Sequence, residues 1–96
     1  MTDIRLISKR DRQIKPLVEA ALANELRLLE TGIRQTKERL QEFEKKYQML
    51  TQDFISRYEN DEFEETMDFV EWIGESRLLK CLREKAETLM DIQFAN

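Results

Sequence analysis

The sequence has no histidine, a single cysteine, two glycines and one proline among its 96 residues. Without histidine, the chain lacks the commonest general base and the commonest zinc ligand of proteins. The one cysteine, Cys81, cannot close a disulfide within the chain. Gly32 and Gly74 are too far apart to form a phosphate-binding loop. These absences predict that the chain is not an enzyme and has no catalytic, metal or cofactor site.

Long apolar runs are also missing, since no stretch reaches the roughly 18 residues that a membrane-spanning helix requires. The first residues lack the apolar stretch and the small-residue cleavage site of a signal peptide. We expect Cys81 to be half-buried on a helix. Together these features favour a soluble protein of the reducing cytoplasm.

What the sequence does contain is charge, because charged side chains make up 38% of the chain. A composition rich in Leu, Glu, Lys, Arg and Gln is typical of long helices or a coiled coil. The length allows one domain, residues 1–96. The net charge of −4 hides an uneven distribution. Residues 1–15 are mainly basic, whereas residues 51–75 hold nine acids and one basic residue, Arg57.

Apolar residues recur in alternating steps of four and three along the first half of the chain. The positions are Leu22, Leu26, Leu29, Ile33, Thr36, Leu40, Phe43, Tyr47 and Leu50. Only Thr36 among them is polar. A heptad stripe sustained over about four heptads predicts a long helix with a coiled-coil face. We place this helix at residues 16–49, with Pro16 in its first turn and Gly32 tolerated inside it.

Two further helices are predicted, a short one at residues 51–59 with Thr51 as N-cap and a longer one at residues 66–92 that Thr66 caps. The third helix turns one apolar side inward, formed by Phe69, Trp72, Ile73, Leu79, Leu82, Ala86 and Leu89. Residues 1–14 are expected to form an irregular basic arm that has room for one helical turn. The predicted fold class is therefore all-α, with a long, a short and a long helix forming an antiparallel helical hairpin.

The stripe on the first helix is longer than the returning helix, so apolar surface is left over. We therefore expect two hairpins to dimerise into a coiled-coil or four-helix assembly. The predicted oligomer interface consists of Leu22, Leu26, Leu29, Ile33, Leu40, Phe43 and Tyr47.

The acidic segment has three interpretations. Its carboxylates could bind a hard cation, although the glycine that an EF-hand loop needs is missing between Asp61 and Trp72. They could instead form a solvated turn, or a surface that docks a basic partner. The nearby Phe63 and Trp72 could be core residues or partly exposed interface anchors. The candidate partner-binding residues are Glu62, Phe63, Glu64, Glu65, Asp68, Glu71 and Trp72.

The basic arm could contact the phosphates of a nucleic acid. A ribbon–helix–helix DNA-binding protein would need a regular strand there, and Ile4 to Ile7 make a poor one. A solubilising tail is the other interpretation of this segment.

A series of short segments in the second half of the chain forms a less generic pattern. They are Lys46-Tyr47-Gln48-Met49, Thr51, Asp53-Phe54, Arg57-Tyr58-Glu59 and Asp68-Phe69-Val70-Glu71-Trp72. From Lys46 to Leu89 this order resembles a family of small helical antitoxin-like proteins of archaea and bacteria, whose genes often lie beside toxin-like genes. Gln48 and Asp61 stand where the family usually has glycine. The resemblance implies a partner-binding role and transfers no catalytic residue.

The expected function is therefore that of an antitoxin-like protein–protein interaction module, a homodimer that binds and neutralises a basic partner such as an RNase-type toxin. One alternative is a structural coiled-coil adaptor or scaffold without a toxin. Another is a nucleic-acid-binding protein that uses the basic arm.

Overall fold

The computed structural model describes the backbone of residues 11–94 and the side chains of residues 14–92. This part of the chain forms three helices, α1 (Asp11–Tyr47), α2 (Thr51–Glu59) and α3 (Met67–Phe94), and contains no strand. The helix α3 returns along α1, with Asp68 beside Lys46, Glu75 beside Arg39 and Leu82 beside Gly32. The predicted all-α antiparallel hairpin is confirmed.

The first helix begins earlier than the sequence predicts. It starts at Asp11 rather than residue 16, so Pro16 lies inside the helix and not in its first turn. Proline has no N–H to donate to the carbonyl four residues before it, which is that of Arg12. Residues 11–14 of the predicted arm are therefore helical, and residues 1–10 lie outside the described residues.

The heptad stripe of α1 packs against α3 of the same chain. Leu29, Thr36 and Leu40 are buried, and Leu50, which follows α1, is 55% exposed. Of the residues predicted as an oligomer interface, Leu29 and Leu40 are buried within the single chain and the other five are half-buried, so the dimer interface stays a prediction. The seven predicted residues are Leu22, Leu26, Leu29, Ile33, Leu40, Phe43 and Tyr47.

The one polar residue of the stripe, Thr36, is fully buried. Its hydroxyl accepts a hydrogen bond of 3.3 Å from the guanidinium of Arg39, whose Nε lies 2.9 Å from the Glu75 carboxylate on α3. A buried hydroxyl is costly only when it lacks a partner. Gly32, one turn earlier, makes room for Leu82, since a Cβ there would lie 3.3 Å from a Leu82 methyl.

Both helix ends in the connection are closed by Schellman motifs, in which a residue with positive φ follows the helix. Gln48 has φ 53° and Asp61 has φ 58°. The Met49 N–H donates to the Glu44 carbonyl, and the Glu62 N–H donates to the Arg57 carbonyl. These bonds satisfy carbonyl groups that the helix itself leaves without a donor.

The start of α2 differs from the prediction. Thr51 is the first helical residue and Leu50 the N-cap, which makes no side-chain capping bond. The Glu44 carboxylate supplies the cap instead, accepting the Thr51 N–H at 2.8 Å. At the start of α3 the predicted cap is confirmed, because Thr66 Oγ1 accepts the Phe69 N–H at 3.1 Å.

Seven aromatic side chains form the core where α2 and residues 60–66 connect α1 to α3, which we call the closed end. Phe54 and Trp72 are completely buried and stack with ring centroids 3.9 Å apart. Five other rings surround them: Phe43, Tyr47, Tyr58, Phe63 and Phe69. Further along α3, Ile73 and Ala86 are buried as expected. The short helix α2 is thus stabilised by packing in an aromatic cluster and not by its own intrahelical hydrogen bonds alone.

Candidate partner-binding surface

Trp72, a candidate interface anchor, is a core residue in the structure. Its side chain is fully enclosed, and its Nε1–H donates to Thr51 Oγ1 at 3.0 Å. An enclosed side chain offers no atom to a partner, so Trp72 is withdrawn from the candidate surface. Of the two interpretations that its sequence context allowed, the structure selects the core role.

Phe63 is half-buried against the same cluster. Its ring centroid lies 5.7 Å from that of Phe54 and 5.1 Å from that of Phe69. The Arg57 guanidinium covers it at 4.7 Å from the centroid. The ring therefore fixes the turn in place, and only a part of it remains for a partner.

Asp68 is engaged inside the chain and joins the ends of α1 and α3. Its carboxylate accepts hydrogen bonds from Lys46 Nζ and the Tyr47 hydroxyl, each at 2.6 Å. These two bonds, the Lys46 bond first, hold the pKa of Asp68 below its ordinary value. The same carboxylate raises the pKa values of Lys46 and Tyr47. Asp68 therefore stabilises the hairpin by connecting α3 to α1. Its bonds to Lys46 and Tyr47 leave it less available to a partner.

Two other acids of the turn also have partners within the chain. Glu62 lies 2.9 Å from Arg57 Nε, and Glu65 accepts the Tyr58 hydroxyl at 2.6 Å. The bond to Glu65, followed by burial, raises the pKa of Tyr58. These contacts position the turn and reduce the charge that Glu62 presents to a partner.

Glu64 and Glu71 differ from the other candidate acids. Both are exposed, and neither makes an ion pair or hydrogen bond with another side chain within residues 14–92. Of the seven candidate residues, these two are the carboxylates most available to an external partner.

An exposed apolar stripe next to Glu71 was not identified from the sequence. Met67, Val70 and Leu78 are 77%, 50% and 41% exposed, and a Cβ built on Gly74 would meet nothing within 4 Å. The spacing of three, four and four residues places these positions on one side of α3, which we call its outer face. That spacing is visible in the sequence, but the stronger inner stripe of the same helix obscures it.

Other chemistry is sparse in the described part of the chain. Cys81 is exposed rather than half-buried as expected. Within the described residues, no three His, Cys, Asp or Glu side chains are placed to hold a metal ion. Nor does any described helix have the length and hydropathy needed to cross a membrane.

No protein family, curated protein or solved structure matches the chain. The assignment of a function therefore depends on the surface itself.

Proposed function

We propose that the chain is a protein-interaction module that docks a basic protein partner on the outer face of α3 and the adjoining acidic turn. The observation that carries the proposal is an exposed apolar surface beside carboxylates that have no side-chain partner within residues 14–92. Met67 and Val70 supply apolar contact area, and Glu71 follows Met67 by one helical turn.

Charge favours a basic partner over a neutral one. Covering Met67 and Val70 also covers Glu71, and a carboxylate buried without a counter-charge is strongly unfavourable. A lysine or arginine from the partner removes that cost. The charges then set the choice of partner and the association rate, while the apolar contacts slow dissociation.

A second copy of this chain fits the outer face poorly. A two-fold axis near Gly74 would bring Glu71 of both copies to the same side of one contact. Like charges this close disfavour the pair. The proposed occupant is therefore a different, basic protein.

Within this proposal the module is antitoxin-like, acts in the cytoplasm and neutralises its partner, for example an RNase-type toxin. The resemblance from Lys46 to Leu89 is the basis for this finer assignment. The backbone conformation agrees with this resemblance at two positions. These are Gln48 and Asp61, where that family has glycine. Both have positive φ, which glycine adopts most readily.

The alternative, an adaptor or scaffold without a toxin, is favoured by shape. The molecule is a rod of 61 × 24 × 21 Å with exposed apolar residues near both ends, Leu17 and Met67. A scaffold would bind its partners without inhibiting them, so an activity measurement on the captured partner separates the two functions.

The test starts from the partner that co-purifies with the chain from its native host. Changing Glu64→Lys and Glu71→Lys together should slow association several-fold and flatten its salt dependence, because exposed charges act over about 8–10 Å near physiological ionic strength. The matched control is Glu38→Lys with Glu42→Lys, two exposed acids of α1. Equal effects of both pairs would show that net charge, not this surface, is responsible.

The apolar part of the surface is tested separately. Val70→Ser should accelerate dissociation of the partner, whereas Leu28→Ser, at a residue of 58% exposure on α1, should not. Co-expression then tests neutralisation. The unaltered chain should restore growth in the presence of the partner, and the Glu64→Lys, Glu71→Lys chain should fail to do so. A partner that has no toxic activity would favour the scaffold.

A further inference from the structure

The helix α3 carries apolar residues on two opposite faces. Its inner face packs against α1 and contains the buried residues Trp72, Ile73 and Ala86. The spacing of the outer face, in steps of three and four residues, continues beyond Leu78 as far as Ile92. Because a helix advances about 100° per residue, these positions form one narrow stripe on the side away from α1. The apolar or small members of this outer stripe are Met67, Val70, Gly74, Leu78, Cys81 and Ile92.

Every position of the outer stripe is exposed. The exposed fraction is 77% at Met67 and 48% at Ile92, and Cys81 between them is also exposed. Only two positions of the stripe are polar, Lys85 and Thr88. At about 1.5 Å per residue the stripe is roughly 37 Å long. A helix that is apolar on two opposite faces is typical of one with neighbours on both sides, and α1 covers only the inner face.

We infer that the basic partner docks an amphipathic α-helix lengthwise along the outer stripe of α3. The inference rests on the proposed function and names the element that the partner uses. The stripe keeps its spacing of three and four residues over about seven turns, which matches the row of side chains that a second helix presents. A loop would contact only a few of these positions. Gly74 has nothing within 4 Å of an added Cβ, so the partner helix can approach α3 closely there.

Charge complementarity sets the direction of the partner helix. Glu64 and Glu71 are exposed at the N-terminal end of the stripe. Arg77 and Lys85 are exposed further along, and neither forms an ion pair with another side chain within residues 14–92. Glu84 lies between them, and two cations against one acid leave this half net basic. The most basic end of the partner helix therefore lies at the N-terminal end of the stripe.

A second copy of α3 fits the stripe less well than a partner helix. An antiparallel copy with a two-fold axis near Leu78 pairs Glu71 of one copy with Lys85 of the other. The same axis brings Arg77 of both copies together on the opposite flank of the stripe, and like charges disfavour that arrangement. A partner helix has no such symmetry requirement, so its charges need to complement only one stripe.

Cys81 reports whether a helix covers the stripe, because it is the only cysteine of the chain and lies near the middle of the stripe. Iodoacetamide should alkylate Cys81 readily in the free chain, and several-fold more slowly when the co-purified basic partner is saturating. The control is a Cys81→Ser, Gln41→Cys chain. Its thiol lies at an exposed position of α1 and should react equally in both states. A Cys81 that stays equally reactive in the complex overturns the inference.

The far end of the stripe is tested by two residues of similar exposure on opposite sides of α3. Ile92 is 48% exposed and Met90 is 43% exposed, and two residues turn the helix by roughly 200°. Ile92→Ser should accelerate dissociation of the partner several-fold, whereas Met90→Ser should not. Circular dichroism should show equal helicity for both variants. Equal dissociation rates of the two variants overturn the inference.

Hydrogen exchange tests whether the contact of the partner is a helix. One continuous segment of the partner should become protected on binding. A synthetic peptide of that segment should gain helicity in circular dichroism when the chain is added. Protection of several short, separate segments overturns the helix.

These outcomes separate the inference from the proposed function. If Glu64→Lys with Glu71→Lys slows association while Cys81 stays reactive and Ile92→Ser has no effect, the partner docks on the acidic end alone. The proposed function then stands and the lengthwise helix is overturned. If none of these changes affects the partner, both fail. A free chain whose Cys81 becomes protected as its own concentration rises identifies a second copy as the occupant, which also overturns the inference.

Discussion

Gln48 and Asp61 show how single residues set the geometry of the connection. Each occupies the position after a helix where φ is positive, 53° and 58°. For a residue with a Cβ this left-handed conformation costs roughly 1–2 kcal/mol, and aspartate tolerates it better than glutamine. Both side chains are exposed, so packing does not require them. The backbone, not the side chain, decides which residue suits these positions.

Gln48→Gly should therefore stabilise the protein by about 0.5–1 kcal/mol, and Asp61→Gly by less. Glycine removes the steric cost but loses more conformational entropy on folding, which limits the gain. Gln48 also gives up a hydrogen bond of 2.7 Å from its Nε2 to the Lys45 carbonyl. Urea denaturation measures the free energy of unfolding. Gln48→Val is the opposite control and should destabilise, because a β-branched residue strongly disfavours positive φ.

At the scale of the elements, α2 is the least independent part of the fold. A helix of nine residues is too short to be stable alone. It is held by the stacking of Phe54 on Trp72 and by the hydrogen bond from Trp72 Nε1 to Thr51 Oγ1. The hydrogen bond satisfies Nε1, the only polar atom of the completely buried Trp72 side chain. It therefore fixes the position of α2 relative to α3.

Removing the acceptor with Thr51→Val should cost about 1–3 kcal/mol, since the indole N–H is left buried without a partner. In a Trp72→Phe background there is no N–H to leave unpaired, and the same change should cost clearly less. A double-mutant cycle from denaturant unfolding gives the difference as an interaction energy. If Thr51→Val costs the same in both backgrounds, the hydrogen bond does not stabilise α2, and the stacking alone must hold it.

The whole molecule is a rod in which the closed end connects the helices to one another. Aromatic stacking and the contacts of Asp68 hold the closed end, whereas α1 extends beyond α3 at the other. The Cα radius of gyration is 19.4 Å, well above the roughly 12 Å of a compact chain of this length. Such a shape buries little surface per residue. The free energy of unfolding should therefore be sensitive to changes in the contacts of the closed end.

Acid should weaken the contacts that Asp68 makes with Lys46 and Tyr47. The pKa of Asp68 is lower in the folded chain than its ordinary value of 3.8. Its stabilising contribution is therefore complete above that value and is lost as the pH falls through the lower, folded value. Tyr47→Phe removes one of the two donors, so the pKa of Asp68 should rise toward 3.8 and melting temperature should fall less steeply below pH 4.

NMR titration of the Asp68 carboxyl group, together with melting curves between pH 2 and pH 6, measures both effects. Tyr58→Phe is the control, because its hydroxyl bonds Glu65 and not Asp68. An unchanged Asp68 titration in Tyr47→Phe would mean that Lys46 alone determines its pKa.

The sequence alone determined the three helices, the inner stripe of α1 and the cap at Thr66. These features depend on the local periodicity of apolar residues and on hydrogen bonds between residues three or four apart. Residues that are close in sequence are therefore sufficient to predict them. It also placed Trp72 in a pattern compatible with either core or interface. The start of α1 was missed because the rule that proline favours the first turn is only a tendency, and here the helix passes through Pro16.

Only the tertiary structure decided which surfaces remain open. Two contacts form because the chain folds back on itself, that of Lys46 with Asp68 and that of Thr51 with Trp72. Burial removed Trp72 from the candidate surface, and Asp68 is engaged by Lys46 and Tyr47, which leaves Glu64 and Glu71 as the candidate acids most available to a partner. The length of α3 relative to α1 decided that the first turns of α1 extend beyond the described end of α3. Periodicity identifies an apolar face, but only the packed chain determines whether that face is already covered.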